Sequence, residues 1–369
     1  MTFPLASLLA FFISSTAMAG QIAFIGDSLS TGGAAHPQLM FEAKQFRQVF
    51  EGVTKITPDA SYFEQVKSLG YDFDSAPPPL RLDRSYREYQ HPVFWFADNL
   101  WTHFSSQFLD AEEYAWAYLL SRKLGYDPQD VLITARDGEK MNHSLRQVDR
   151  LLEYTNGVLP EKVFIFFSGN DLCGSSLEYV TSGEDYEDDL LRTLRYLKLN
   201  GKPSPQGTKV FVMNPIGVLQ VITASSIQNR MVPYHGNKIS CKELHTKKPG
   251  EPTQMQLGPN GDIVDLAINM IANSPVGFCQ TLFSIHGGDS QIQITLSNRI
   301  SQYRKGIKSA VKTINELAGT DIRFYQVEDT KDLLFEGKDI ANDCFHLSMF
   351  GHDKIVRAVE SELKKKATL

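Results

Sequence analysis

Short runs of apolar residues recur along the chain, and each is followed by a turn and then by a stretch of helical periodicity. The runs fall at residues 21–26, 131–135, 162–167, 209–213 and 322–327. Their apolar positions are nearly continuous rather than alternating, which is typical of strands covered on both faces in a parallel sheet. Strands that alternate with helices in this way predict an α/β protein.

Four stretches carry apolar residues at the i, i+3, i+4 spacing of an amphipathic helix. They cover residues 112–124, 187–199, 299–317 and 350–366. Together with the strands, they predict a doubly wound parallel sheet of five strands flanked by helices. In such sheets a ligand binds beyond the carboxyl ends of the strands, so the residues that follow each strand are the candidates for chemistry.

Two long segments, at about residues 32–110 and 218–293, do not fit this alternation, and we interpret them as insertions in a single domain of residues 20–369. The stretch from residue 84 to residue 118, which begins in the first insertion and runs into the helix predicted after it, has 11 aromatic residues in 35 positions, including Trp95, Trp101 and Trp116. Such a segment suits an acyl-chain groove or a contact with a lipid interface. The alternative is ordinary packing of the insertion onto the sheet.

The first nineteen residues resemble an export signal. An apolar run at residues 3–13 is followed by small residues that end in Ala17, Met18 and Ala19. We therefore expect a secreted or periplasmic protein, with a retained signal anchor as the alternative. The formal charge is −6, which argues against a nucleic-acid partner held by its phosphates.

The chain has four cysteines, and an exported protein is expected to pair them. Three pairings are open. We favour Cys241 with Cys279, which flank one loop-rich stretch, and this leaves Cys173 with Cys344. The alternative is a zinc site, although no CxxC or HxxxH spacing supports it. Its ligands would be Cys241, His235, His245 and His286.

Serine, amide, acid and imidazole groups follow three of the predicted strands. Ser28 comes directly after the first strand, Asn170 follows the third, and Asp343 and His346 stand three residues apart after the fifth. A serine needs a base to become a nucleophile, and an acid close to a histidine can orient the imidazole as that base. The absence of a GxSxG sequence counts against an α/β-hydrolase elbow.

Four blocks of the chain resemble the SGNH, or GDSL, hydrolase family, and they occur in the family order. The blocks are residues 22–30, 135–138, 167–173 and 343–351. The sequences GNDLC and DCFHLS within the last two are most similar to the phospholipase B-like branch. The resemblance implies a flavodoxin-like fold and ester hydrolysis without a cofactor or a metal ion.

The resemblance also implies a role for each site residue. Ser28 would attack the ester carbonyl, His346 would act as general base and then acid, and Asp343 would orient His346. The oxyanion would be held by the backbone N–H groups of Ser28 and Gly138 and by the side-chain amide of Asn170.

Two further residues near these blocks are expected to have other roles. Asp27 is expected to be a structural hydrogen-bonding residue whose side chain points away from the crevice. His352 is expected to be a surface histidine, because it does not share a helix face with His346.

The nature of the substrate stays open at this point. The first hypothesis is a lipid esterase of the lipase, phospholipase or lysophospholipase kind, with contact to a lipid interface. The alternatives are an esterase that removes acetyl or similar groups from glycans, an acyltransferase variant, and a catalytically silent binding module. A polar cleft would favour the glycan esterase, and an apolar one would favour the lipid esterase.

Overall fold

The computed structural model describes residues 21–37, 58–82, 111–234, 237–246, 279–287, 289–317, 319 and 321–367. The expected signal at residues 1–19 lies outside the described residues. So do Trp95 and Trp101, on which the prediction of an acyl groove in the first insertion mainly depends.

A central parallel sheet of six strands carries the fold. Its strands are β1 (Ile22–Gly26), β2 (Leu80–Arg81), β3 (Val131–Ile133), β4 (Lys162–Phe166), β5 (Thr208–Met213) and β8 (Ile322–Val327). Their order across the sheet is β2-β3-β1-β4-β5-β8, and all the pairings are parallel. Every residue of β1 is buried, as its uninterrupted apolar sequence predicts. The arrangement fits a doubly wound α/β fold.

The prediction of five strands was wrong by one. All five predicted strands are present, with bounds that differ by a few residues at most. The sixth, Leu80–Arg81, lies inside the first insertion and pairs with β3. Two residues are too few to show any periodicity, so this strand forms because a free edge of the sheet is available to pair with it.

Helices flank the sheet in two groups. The longer ones are α2 (Ala60–Ser68), α3 (Trp116–Lys123), α4 (Ser144–Tyr154), α5 (Gly183–Asn200), α10 (Ser290–Glu316) and α11 (Met349–Ala367). Helices α4, α5 and α10 pack side by side, whereas α3 packs on α11. Ser182 begins α5 by accepting a hydrogen bond from the backbone N–H of Asp185. The four predicted helices are present, and α2 and α4 were not predicted.

The described part of the second insertion has helices and strands of its own. It contains the short helices α6 (Gln220–Thr223) and α7 (Ser225–Gln228), the antiparallel strands β6 (Met231–Tyr234) and β7 (Asn237–Ser240), and the helices α8 (Cys241–His245) and α9 (Gln280–Phe283). It is therefore not a plain loop.

Both disulfides differ from the predicted pairing. Cys173 pairs with Cys279, and Cys241 pairs with Cys344. Each bond joins the second insertion to a loop at the carboxyl edge of the sheet, so the cysteines that are nearest in sequence are not the nearest in space. Because Cys241 is bonded to Cys344, it is not available as a zinc ligand. Disulfides persist in oxidising surroundings, so the two bonds indicate an extracellular or periplasmic environment.

Among the described residues, no helix is both long enough and apolar enough to cross a membrane.

Trp116 packs in the core, against the face of the sheet. Its ring lies 5.1 Å from that of Phe24, 5.8 Å from that of Phe164 and 5.7 Å from that of Phe166, in edge-to-face contacts. The side chain is fully buried. For this one of the three tryptophans, ordinary packing onto the sheet is the correct interpretation.

We expect Trp116→Ala to lower the free energy of unfolding by about 3–5 kcal/mol, because it removes a buried ring and leaves a cavity. Urea denaturation measures this change. The matched control is Leu199→Ala, since Leu199 is 80% exposed and should change stability by at most about 0.5 kcal/mol. A Trp116 variant as stable as the control would contradict this account of the core.

Candidate active site

The topology of the sheet brings the predicted site residues to one crevice. The strand order reverses at β1, which lies between β3 and β4 in the middle of the sheet. Ser28 follows β1, and Asn170 follows β4. The loop that carries Asp343 and His346 precedes α11 and meets Ser28 at the same edge. This is the position where doubly wound sheets bind their ligands.

Ser28 begins a single helical turn, α1 (Ser28–Thr31), for which Asp27 is the N-cap. Asp27 Oδ1 accepts a hydrogen bond from the N–H of Leu29 at 3.0 Å, and Oδ2 accepts one from the N–H of Ser168 at 3.1 Å. Asp27 is thus the hydrogen-bonding residue that was predicted, although it also borders the cavity beside Ser28. Its carboxylate joins the turn that carries Ser28 to the loop that follows β4.

The turn needs a glycine at position 33. A Cβ atom there would lie 2.8 Å from Cβ of Ser28 and 3.4 Å from Nε2 of His346. The first distance is below any real contact, so any larger residue would displace the serine. The N–H of Gly33 also donates to the carbonyl oxygen of Ser28 at 2.8 Å. Sequence reasoning did not select this residue.

Gln147 on α4 fixes the end of β1 just before the serine. Its Oε1 accepts from the N–H of Gly26 and its Nε2 donates to the carbonyl of Gly26, both at 2.8 Å. The side-chain amide therefore makes with Gly26 the pair of hydrogen bonds that the backbone of a neighbouring strand would otherwise make. Sequence analysis missed this contact as well, and a buried Gln on the apolar face of an amphipathic helix was the available signal.

Ser28, His346 and Asp343 form a continuous series of hydrogen bonds. Ser28 Oγ lies 2.9 Å from His346 Nε2, and His346 Nδ1 lies 2.5 Å from Asp343 Oδ2. Asp343 Oδ1 accepts from the backbone N–H groups of Phe345 and His346 at 3.0 and 2.9 Å. The loop is folded so that the acid holds both the backbone and the ring of the histidine.

The electrostatics of Asp343 keep it ionised. Burial alone would raise its pKa, but the charge of His346, the hydrogen bond to His346 and the two backbone N–H donors lower the pKa below its usual value. An ionised carboxylate only accepts hydrogen bonds, so His346 Nδ1 carries a proton. In neutral His346, Nε2 is then the atom that accepts the hydroxyl proton of Ser28.

Asn170 lines the same cavity and is held by a neighbouring turn. Its Nδ2 donates to the carbonyl of Glu139 at 3.1 Å, which leaves a second N–H on that amide. Gly138 lies in this turn with φ +77° and is exposed, and it is not part of the cavity lining. The charged neighbours of Gly138 are engaged elsewhere. Asp137 accepts from Thr31 at 2.5 Å, and Glu139 pairs with Arg146 at 2.9 Å.

The cavity beside Ser28 is mainly apolar. Its apolar lining consists of Leu29, Ile216, Val218, Val221, Phe335, Ile340, Phe345 and Leu347. Gln220 also borders it, but its amide is used by the backbone: Nε2 donates to Leu333 and Oε1 accepts from Phe335, both at 2.8 Å. Among the described residues, the polar groups that a ligand in this cavity would meet therefore lie mainly near Ser28, Asn170 and His346.

The expectation for His352 was wrong. The residue is completely buried in α11, and burial together with the charge of His346 lowers its pKa to about 3. It is neutral and lies within the electrostatic range of the site. The position lies on the buried side of the helix, which the spacing from His346 did not indicate.

A comparison of the chain with protein-family models found no match. A comparison with curated proteins found none either.

The buried carboxyl of Asp27 predicts a pH-dependent stability. Burial raises its pKa from 3.8 to about 6. The stability that neutral Asp27 contributes is complete below pH 3.8 and is lost as the pH rises through about 6. The free energy of unfolding of Asp27→Asn, relative to that of the unmodified protein, should therefore rise between pH 4 and pH 7 by on the order of 3 kcal/mol.

Urea denaturation at several pH values measures this difference. The hydrogen bond lost to Ser168 adds an offset that does not depend on pH, so only the slope is informative. Asp188→Asn, on the exposed surface of α5, is the control and should follow the unmodified protein. A constant difference between Asp27→Asn and the unmodified protein would contradict the account.

Proposed function

We propose that this protein is a secreted serine ester hydrolase of the SGNH type, acting on carboxylic esters and most favourably on lipid esters. The observation that carries the proposal is the hydrogen-bonded series Ser28, His346 and Asp343 at the mouth of an apolar cavity. The flavodoxin-like sheet order and the four sequence blocks support the same family.

In the first half of the reaction, Ser28 Oγ attacks the carbonyl carbon of the ester while His346 Nε2 takes the hydroxyl proton. Asp343 stabilises the resulting imidazolium. The bond between the carbonyl carbon and the alcohol oxygen then breaks, and His346 gives its proton to the departing alcohol. An acyl group remains on Ser28.

In the second half, water attacks the acyl-enzyme and His346 takes a proton from that water. The bond to Ser28 Oγ breaks, the carboxylic acid leaves, and the proton returns to Ser28. Both halves pass through a tetrahedral intermediate whose oxygen carries a negative charge. Its donors would be the N–H of Ser28 and the side-chain amide of Asn170, which donates its other N–H to the carbonyl of Glu139. The family resemblance adds the N–H of Gly138, which borders the site in sequence but does not line the cavity.

The chemistry of the cavity supports an aliphatic acyl group. Eight apolar side chains of the described residues line it, and the amide of Gln220 is hydrogen-bonded to backbone groups. A glycan-binding cleft needs polar side chains to replace the hydration of sugar hydroxyls, since an unpaired buried polar group is costly. The lining therefore favours an aliphatic acyl group over a sugar ring as the part of the substrate that enters this cavity.

Ser28→Ala should abolish both labelling by a fluorophosphonate probe and hydrolysis of a p-nitrophenyl ester, because the nucleophile is gone. Gel fluorescence and absorbance measure the two effects. The matched control is Ser30→Ala, which removes another buried serine hydroxyl of the same turn and should leave both signals. Full hydrolysis by Ser28→Ala would overturn the proposed mechanism.

Val218→Phe should reduce turnover of long acyl esters while sparing acetyl esters, because the added ring occupies the cavity. Excluding four methylene groups at about 0.8 kcal/mol each corresponds to a loss of about two orders of magnitude in kcat/KM for a hexanoyl ester. Hydrolysis of p-nitrophenyl acetate and hexanoate by the same preparation measures the contrast.

Ile294→Phe is the control for this substitution, since Ile294 is 53% exposed on α10. It should leave both rates unchanged. Equal losses on both esters in a folded Val218→Phe protein would show that the acyl chain does not enter this cavity.

A further inference from the structure

The loop between the catalytic acid and base has an unfavourable backbone conformation. Cys344, which lies between Asp343 and His346, has φ +60°. A side chain with a Cβ atom in this left-handed region costs free energy, so such a conformation persists only when the surroundings impose it. The loop itself is closed at its base by the N–H of Ala341, which donates to the carbonyl of His346 at 2.8 Å.

A small neighbouring unit holds this loop. We call β6, β7 and α8 the hairpin unit; its residues are Met231–Tyr234, Asn237–Ser240 and Cys241–His245. Within the described part of the chain, it has a separate apolar cluster. The members of the cluster are Val232, Tyr234, Ile239, Cys241, Leu244 and Cys344. Cys344 is thus the contribution of the catalytic loop to the core of the hairpin unit.

Three kinds of contact hold the loop between Asp343 and His346 and the residues just before it. Cys344 is covalently bonded to Cys241. The carbonyl of Cys344 accepts a hydrogen bond from Nε2 of His245 at 2.9 Å. Arg230, directly before β6, donates to the carbonyl of Ala341 at 2.7 Å and to Oδ1 of Asn342 at 3.0 Å.

His245 is held in one tautomer by its partners. Because a carbonyl oxygen only accepts, Nε2 of His245 carries the proton. Nδ1 then accepts from Nε2 of Gln228 at 3.2 Å, and Gln228 also donates to the carbonyl of Val221. His245 is buried. The imidazole that donates to the carbonyl of Cys344 is therefore itself held in place by a second set of hydrogen bonds.

We propose that the hairpin unit is a positioning element for catalysis: through Cys241 and His245 it imposes the conformation of Cys344 that places Asp343 against His346. This rests on the proposed function of Ser28, His346 and Asp343. The physical reason is that a short acid–imidazole contact tolerates little displacement, and a loop with an unfavourable residue would otherwise relax.

Several charged and titratable groups of the described residues act on the pair of Asp343 and His346. Asp343 and Asp27 act on His346 as acids, His352 lies close as a buried imidazole, and Arg230 acts on Asp343. Removing the disulfide between Cys241 and Cys344 leaves these four residues in place and removes no charged group. Any effect of that removal on the pKa of His346 therefore comes from a change in geometry.

The two disulfides provide a matched pair of variants. Their cysteines are 103 residues apart in Cys241–Cys344 and 106 in Cys173–Cys279, so removing either should cost a similar amount of loop-closure stabilisation. Cys241→Ala with Cys344→Ala frees the catalytic loop. Cys173→Ala with Cys279→Ala is the control for the loss of a disulfide as such.

Three measurements distinguish positioning from stability. Proton NMR detects the downfield Nδ1–H resonance of the His346–Asp343 contact, an NMR titration gives the midpoint of His346, and steady-state kinetics on p-nitrophenyl butyrate separate kcat from KM. For the Cys241 and Cys344 double variant we expect loss of the resonance, a lower midpoint and a fall in kcat of about tenfold or more, with KM little changed. The control should keep the resonance and the midpoint.

An unaltered resonance and midpoint in a folded Cys241 and Cys344 double variant would overturn the proposal, because the unit would then only stabilise the fold. If that variant does not fold, His245→Leu decides, since it removes the hydrogen bond to Cys344 and keeps the disulfide. It should shift the same signals in the same direction, and an unshifted spectrum would overturn the proposal equally. The NMR readouts need no substrate, so failure of the esterase assay in the unmodified protein would count against the proposed function alone.

Discussion

The hydrogen bond between Ser28 and His346 joins two residues that are 318 positions apart in the chain. No local propensity can form it. It exists because the carboxyl ends of β1 and β4 lie at one edge of the sheet and the loop before α11 returns to that edge. The strands are buried and paired in a fixed parallel register. This fixes the position of Ser28, so that His346 can reach hydrogen-bonding distance of it. The buried core around Trp116 matters for the site for the same reason.

Two buried aspartates show how local contacts determine the charge of a carboxyl group. Asp27 and Asp343 are both almost fully buried. Burial raises the pKa of Asp27 to about 6, because its two backbone donors only partly offset the loss of water. Asp343 has two backbone donors as well, but it is also hydrogen-bonded to the imidazole of His346, whereas Asp27 is affected only by the charge of that ring, and the pKa of Asp343 falls. Electrostatics thus assign the role of the permanently charged partner of His346 to Asp343, while Asp27 serves to join two loops.

Much of the fold could be predicted because it depends on long-range burial of regular elements. The apolar run at Ile22–Gly26 is a strand, and Asp343 and His346 lie close to Ser28, as the order of the strands predicts. The strand Leu80–Arg81 could not be predicted, because pairing with an existing sheet edge determines it and its own sequence does not. His352 was misplaced for a related reason: the orientation of α11 decides which of its faces is buried, and the spacing of two histidines carries no information on that.

The cysteine pairing illustrates the limit more sharply. Cys241 and Cys279 flank one stretch of chain, and proximity in sequence favoured joining them. In the fold, both cysteines are instead bonded to loops at the carboxyl edge of the sheet: Cys241 to Cys344, two residues before His346, and Cys279 to Cys173, three residues after Asn170. An insertion with little periodicity is therefore tied to two loops of the site.

The sheet and the second insertion determine different features of the site. The sheet determines where the strands end, and so which residues meet, but a strand end leaves the following loop free to adopt many conformations. The bonds of Cys241 and Cys279, together with the contacts of His245 and Arg230, restrict that freedom in the loops themselves. A stable sheet is thus necessary for the site but does not by itself give the loops their geometry. The insertion supplies the constraint that the sheet cannot provide.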